Sequence, residues 1–120
     1  MKLNRRAFIG TGAAAATLLS APHVRAAGGG AGKVIVIGGG AGGATAARYL
    51  ARDSKGEIDV TLIEPSRAYY TCFFSNLYIG GFRELSSIGH SYGGLANEGV
   101  NVVHDWAIDV DRAAKTVTLA

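Results

Sequence analysis

The sequence predicts an α/β fold: a parallel sheet opened by a βαβ unit, with a small antiparallel β element toward the C-terminal end. Three observations predict it. A short apolar run rich in β-branched residues, Val34–Ile37, breaks off at three glycines. An alanine-rich, helix-forming segment follows at once. After a polar connector comes a second strand-like run, Asp59–Glu64 (DVTLIE), and 120 residues suffice for one domain with a modest core.

The first 26 residues, MKLNRRAFIGTGAAAATLLSAPHVRA, have a charged start, an uncharged middle and a small-residue end. Ala7–Val24 holds no Lys, Arg, Asp or Glu, but Gly, Thr, Ser and Ala dilute its hydrophobicity and Pro22 and His23 spoil its end. It is expected as a leader and not as a stable membrane span. Arg5-Arg6 ahead of Phe8-Ile9 looks like a twin-arginine export signal, and Val24-Arg25-Ala26 offers cleavage after Ala26. The expected location is therefore periplasmic; an N-terminal anchor helix is the other reading. Residues 27–32 are expected to form a short flexible lead, and residues 33–120 the domain itself. Of the 12 Lys and Arg, Lys2, Arg5, Arg6 and Arg25 lie in the leader, leaving eight against 9 acidic residues. Composition thus gives no support for nucleic-acid binding.

Within the domain, Val34–Ile37 reads as a parallel strand covered on both faces. Gly38, Gly40 and Gly43 then follow at G-x-G-x-x-G spacing. The first glycine allows a tight turn, the second lets backbone approach a pyrophosphate, and the third lets helix and strand pack closely. The helix behind them aims its unpaired N–H groups at the phosphates. On it, Gly43, Ala46, Ala47 and Leu50 are expected to share the face that lies on the sheet. The connector Asp53–Glu57 (DSKGE) has Gly56 for its turn. Glu64, at the end of the second strand and 21 residues after Gly43, stands where the ribose-binding carboxylate of a dinucleotide site belongs. A Rossmann-like βαβ unit accounts for all of these features; a ligand-free glycine turn with Glu64 as a solvated strand end is the alternative. The motif alone cannot separate FAD from NAD. Export favours FAD, because a tightly held flavin needs no external supply.

After Pro65 an aromatic segment, Ser66–Asn76, starts at the sheet edge where ligands collect. It holds the chain's single cysteine, Cys72, which excludes an internal disulfide. By composition a lone cysteine reads as a small buried hydrophobe, with an intermolecular disulfide as a lesser possibility. Glycines punctuate residues 77–99 into turns and short helices, and Leu95–Glu98 reads as a helix ending at a Gly99 cap. Val100–His104 is expected as a third strand beside the first. His90 and His104 lack Cys, Asp or Glu partners at ligand spacing, so they read as surface or hydrogen-bonded histidines, and no metal site is expected. Trp106 is expected in the core. Ala107–Val110, a turn at Asp111–Ala114 and Lys115–Leu119 suggest an antiparallel pair.

The blocks KVIVIGGGAGGATAARYL, VTLIEP, YYTC followed by Ser75-Asn76, and the GL–GVNVVHD stretch span almost all of the chain after the leader. Together they resemble the flavoprotein subunit of flavocytochrome c sulfide dehydrogenase. VTLIEP is shared among related flavoproteins, whereas YYTC with Ser75-Asn76 is more specific; Phe73 and Phe74 fall where the family varies. The resemblance implies an FAD-binding domain of the glutathione-reductase-like superfamily, here incomplete. It implies a covalent bond from Cys72 to the 8α-methyl of the FAD ring, sulfide as substrate and a c-type cytochrome subunit as electron acceptor. In that family sulfide is oxidised at a pair of redox cysteines beyond the matching region. No catalytic residue is therefore expected among residues 1–120, and the 120-residue chain, expected to be the N-terminal piece of a longer protein, should be inactive alone. With no C-x-x-C-H in the sequence, haem would belong to the partner. The superfamily also passes the backbone at His104–Ala107 close to adenine. Two alternatives stand beside this reading: an exported flavin oxidoreductase with another donor or acceptor, such as a quinone, and an inactive dinucleotide-binding fragment.

Overall fold

A helical layer, a three-stranded parallel sheet and a three-stranded antiparallel sheet are the main elements of the residues that the computed structural model describes, 23–24 and 32–120. The expected leader, 1–26, and lead, 27–32, lie outside the described residues except for His23, Val24 and Gly32. Strand β1 (His23–Val24) pairs antiparallel with the strand at the C-terminal end, His23 opposite Thr118.

The parallel sheet begins as the sequence implies. β2 (Gly32–Ile37) and β3 (Ile58–Ile63) run in register from Gly32↔Ile58 to Ile37↔Ile63. They are joined by α1 (Ala41–Asp53), which stops at a turn where Lys55 and Gly56 take positive φ. The helix turns Ala47 and Ala51 to the sheet, with Ala44 and Leu50 beside them, and leaves Ala46 exposed. Gly43, Ala47 and Leu50 thus lie on the expected face, Gly43 against Val36, while Ala44 and Ala51 take the place of Ala46. β2 is only partly covered, with Lys33 and Ile37 exposed, which corrects the expectation of a strand buried on both faces. Its one pairing partner among the described residues is β3, so β3 and not β2 is the central, buried strand.

The third strand is also placed differently from expectation. Between β3 and it lie a two-stranded antiparallel pair, β4 (Ala68–Tyr70) with β5 (Gly89–Ser91), and two short helices, α2 (Ser75–Ile79) and α3 (Gly93–Asn97). A 3₁₀ turn, Leu85–Ile88, precedes β5. β6 (Asn101–Val103) then pairs in parallel with β3, Thr61 opposite Asn101, so the sheet order is β2-β3-β6. The reason lies in the helices. Arg48 of α1 reaches Glu98 just after α3 at 2.7 Å, and Leu95 of α3 shares a core with Ala47 and Ala51 of α1. Both crossovers thus lie on one face of the sheet. Right-handed crossovers on a common face must step in a common direction, so the third strand adds beyond the second. α3 stops as expected: Gly99 (φ 89) and Val100 send their N–H groups back to Ala96 and Leu95 at 3.1 Å each. Leu95 and Val100 pack together beneath that turn.

The C-terminal expectation holds. β7 (Ala107–Asp111) and β8 (Thr116–Leu119) form an antiparallel pair, with the order β1-β8-β7. Alternation along β3 then serves two cores. Val60 and Leu62 meet Ala47, Ala51, Leu95 and Tyr92 on the helical side, while Ile63 meets Val117 and Leu119 on the other. Trp106 belongs to neither: it is 65% exposed, which corrects its placement in the core. It sits in a polar bend three residues past the end of β6 and directly before β7, where its backbone N–H bonds to the Asp105 carboxylate.

Candidate functional site

Three chain segments converge at the carboxyl ends of β2, β3 and β6, where open α/β sheets hold their ligands. Gly38 stands at φ +96, a conformation open to glycine and strained for other residues, and its N–H bonds across to the Ile63 carbonyl at 2.9 Å. This turns the chain sharply from β2 into α1. Gly43, one turn into the helix, is held by contact: a Cβ there would run into the Gly38 carbonyl oxygen and crowd Val36. Helix and turn could not approach as they do with any side chain at 43.

Gly40 differs from both. Its backbone is extended (φ −65, ψ −176), and a Cβ would meet nothing nearer than Tyr69 at 4.0 Å. Nothing in the fold requires glycine there; the space beside its backbone is left open, as close approach by a ligand demands. Gly40 is the N-cap of the 13-residue α1, no described side chain caps that end, and its first turn has no acidic residue. The N–H groups opening α1 are thus available to an anion, with the helix dipole behind them. This arrangement fits the diphosphate of a dinucleotide.

Glu64 lies just beyond β3, its N–H bonded to the Val103 carbonyl of β6 at 2.9 Å. Its side chain is partly buried. Oε2 accepts the Gly39 N–H at 2.7 Å and Oε1 the Ser66 N–H at 2.9 Å. Burial pushes this carboxyl up, but the Gly39 N–H, the Ser66 N–H and hydroxyl, and the nearby His104 together outweigh it, and the group lies below the usual carboxylate range. It is therefore a fixed anion tied to the glycine turn, not a solvated strand end. Each oxygen keeps a second lone pair with which to accept a ribose hydroxyl.

Two residues of this cluster escaped the sequence reading. Gly39, the middle glycine, gives its N–H to Glu64 and its carbonyl to Tyr92, whose hydroxyl donates at 3.0 Å from 53 residues away. Burial first, then the negative Glu64 and the neighbouring Tyr69, raise the Tyr92 phenol above its usual range, which keeps it protonated as a donor. His104 sets its Nδ1 3.0 Å from the Glu64 carbonyl, which can only accept, so the bond takes the Nδ1–H form. Its ring lies beside that of Tyr92 with centroids 5.9 Å apart. The one sequence signal for Tyr92 was a lone aromatic between glycines in a stretch otherwise read as turns.

Cys72 stands apart from this cluster. It falls in the bend between β4 and α2, and its carbonyl accepts from the Ser75 N–H (3.2 Å) and hydroxyl (2.8 Å). Its thiol is exposed, contrary to the buried-hydrophobe reading. The cause is local: Thr71 is held by the Ile88 carbonyl, and Phe74 at φ +65 then swings the chain outward into α2. Tyr69, three residues earlier, packs on the core and reaches Gly40, so the strand just before Cys72 abuts the glycine turn. Among the described residues no three His, Cys, Asp or Glu side chains gather as metal ligands, and no helix is long and apolar enough to cross a membrane.

Residues 32–120 match the family model described as pyridine nucleotide-disulphide oxidoreductase, nearly three quarters of the chain. The chain belongs to this family. Its members bind FAD or NAD(P), in keeping with the open glycine turn and the anion beside it. Among solved structures the chain is similar to the sulfide:quinone oxidoreductase from the hyperthermophilic bacterium Aquifex aeolicus. The identity is 28% and the TM-score 0.65, over 74% of this chain and 21% of that one. The chain thus spans about a fifth of the length of that relative, and its fold is the expected one, an incomplete Rossmann-like FAD-binding domain with a small antiparallel sheet at its C-terminal end.

Proposed function

We propose that this chain is the FAD-binding part of an exported flavoprotein that oxidises sulfide and passes the electrons to a c-type cytochrome subunit. The observation that carries the cofactor assignment is the pairing of an open, uncapped glycine turn with a carboxylate anchored to that turn, in a chain of this family. Gly38 and Gly43 shape the turn, Gly40 and the first N–H groups of α1 receive the diphosphate, and Glu64 accepts from the adenosine ribose. Cys72, exposed in the bend that follows the strand next to the turn, is the tether to the flavin ring. Bound there, FAD supplies acceptance of an electron pair and its release one electron at a time. The chain binds and orients; the redox cysteines belong to a part of the protein beyond these residues. Arg5-Arg6 and the leader around them support export by the twin-arginine route into the periplasm.

The similarity to a sulfide:quinone oxidoreductase favours a second reading, in which the acceptor is a quinone. The choice is made by supplying the full-length flavin-loaded protein, redox cysteines included, with sulfide and either a c-type cytochrome or a water-soluble quinone; we expect the cytochrome to be reduced faster. The tether has its own test. After acid denaturation, flavin fluorescence should stay with the polypeptide, and Cys72→Ser should release it into the supernatant. Complete release from the unaltered protein refutes the covalent bond.

A further inference from the structure

The peptide joining Gly39 to Gly40 has no side chain at either end to resist a flip, so whatever holds its orientation must come from elsewhere. In a trans peptide the C=O of one residue and the N–H of the next point to opposite sides. Tyr92 donates its hydroxyl to the Gly39 carbonyl at 3.0 Å, which turns the Gly40 N–H away from the buried tyrosine, to the end where α1 begins. A flipped peptide would put a carbonyl oxygen, the negative end of its dipole, in that donor's place and repel a phosphate.

We propose that Tyr92 is a positioning residue for the diphosphate: by holding the Gly39 carbonyl it keeps the Gly40 N–H presented as a donor, without itself touching the ligand. This rests on the dinucleotide reading of the turn. The surroundings fit such a role. Tyr92 is 6% exposed, and its ring is fixed among Leu95, Val100 and Leu62 in the helical-side core. Its hydroxyl lies so near Gly39 that a Cβ there would come within 2.6 Å of it, so the middle glycine is small because Tyr92 leans on it. On the other side of the same residue, the Gly39 N–H is tied to Glu64 at 2.7 Å. Gly39 is thus gripped at both its polar groups, by side chains from two distant parts of the chain.

The test is calorimetric titration of the 120-residue chain and its Tyr92→Phe variant with ADP and with adenosine. Phenylalanine keeps the ring and removes only the hydroxyl. We expect the Kd for ADP to rise about three- to tenfold, the scale of one lost hydrogen bond, with the Kd for adenosine changed less than about twofold. Leu95→Ala loosens the same core without touching the grip on Gly39. It should lower the melting temperature yet leave the ratio of ADP to adenosine affinity as in the unaltered chain. An equal loss for both ligands in Tyr92→Phe, no loss for either, or a ratio shifted as far by Leu95→Ala overturns the proposal. Failure of the unaltered chain to bind ADP overturns the reading of the turn, and the proposal with it.

Discussion

The glycine turn and the segment from Ser66 to Leu85 adjoin through Tyr69, yet they are held in opposite ways. Around the turn the polar groups that shape it are fixed by residues distant in sequence: Gly38 by Ile63, Gly39 by Glu64 and Tyr92, Glu64 by Val103. In the later segment β4 pairs with β5, but past Thr71 the bonds are local, Phe73 to Thr71, Ser75 to Cys72, Leu77 to Phe74. Its large apolar side chains look outward, Phe73 and Phe74 at about 60% exposure and Ile79 and Phe82 at 82%. A site fixed by long-range contacts has its geometry before a ligand arrives. The part of that segment past Thr71, held by short turns with its apolar side chains uncovered, has only local bonds to define it. The diphosphate end of the site is built by the fold, and the Cys72 end by a bend.

That contrast can be broken most sharply at Gly43. Alanine there gains about 1 kcal/mol in helix propensity but meets the Gly38 carbonyl, and overpacking of this kind costs about 1–3 kcal/mol or more. We expect net destabilisation of about 2 kcal/mol by urea unfolding, together with weakened ADP binding. At Gly42, one residue earlier in the same helix, a Cβ meets nothing within 4 Å. Alanine there should stabilise by about 0.5 kcal/mol, so neighbouring glycines answer with opposite signs. If both substitutions stabilise, the close approach of helix to turn is not real.

Glu64→Gln comes next in size. It keeps the shape but leaves one acceptor oxygen for two N–H donors, so one bond loses its charge and the other gives way to an NH2 facing an N–H, and it should cost about 1.5 kcal/mol or more at neutral pH. The sign of the pH dependence follows from the lowered pKa. The folded protein holds the ionised form more strongly than the unfolded chain does, so this contribution is complete above the ordinary carboxylate pKa. It is lost as pH falls through the depressed folded value. In Glu64→Gln that acid-side loss should shrink; an unchanged acid limb in the urea midpoint would mean that Glu64 is not held as described.

The same contrast explains what could be read from the residues. The turn was legible because its demands are local: glycines at fixed spacing, a helix-forming run behind them and an acid at the end of the next strand. The neighbour of β6 was not, because either edge of the sheet would satisfy the same apolar run. Only the packing of α3 on α1, through Leu95 and the Arg48–Glu98 pair, decides the direction of the crossover. Tyr92 was invisible for a related reason: its partner is a backbone carbonyl 53 residues away, which leaves no pattern in sequence. Trp106 was misplaced because size argues for burial, whereas it stands exposed in a polar bend between β6 and β7.

The smallest expected effect falls at Cys72, and its smallness is the point. A thiol held in a core resists the polar substitution to serine, because the hydroxyl must be desolvated without a partner. An exposed thiol in a bend fixed by the hydroxyls of Ser75 and Thr71 has no such cost. Cys72→Ser should therefore change the unfolding free energy of the flavin-free chain by less than about 0.5 kcal/mol. A loss of 1 kcal/mol or more would put the sulfur inside the packing and leave it unable to reach a ligand at the surface. With stability unchanged, any loss of flavin retention in the same variant is chemistry at the sulfur, since the fold that presents it is the same with and without it.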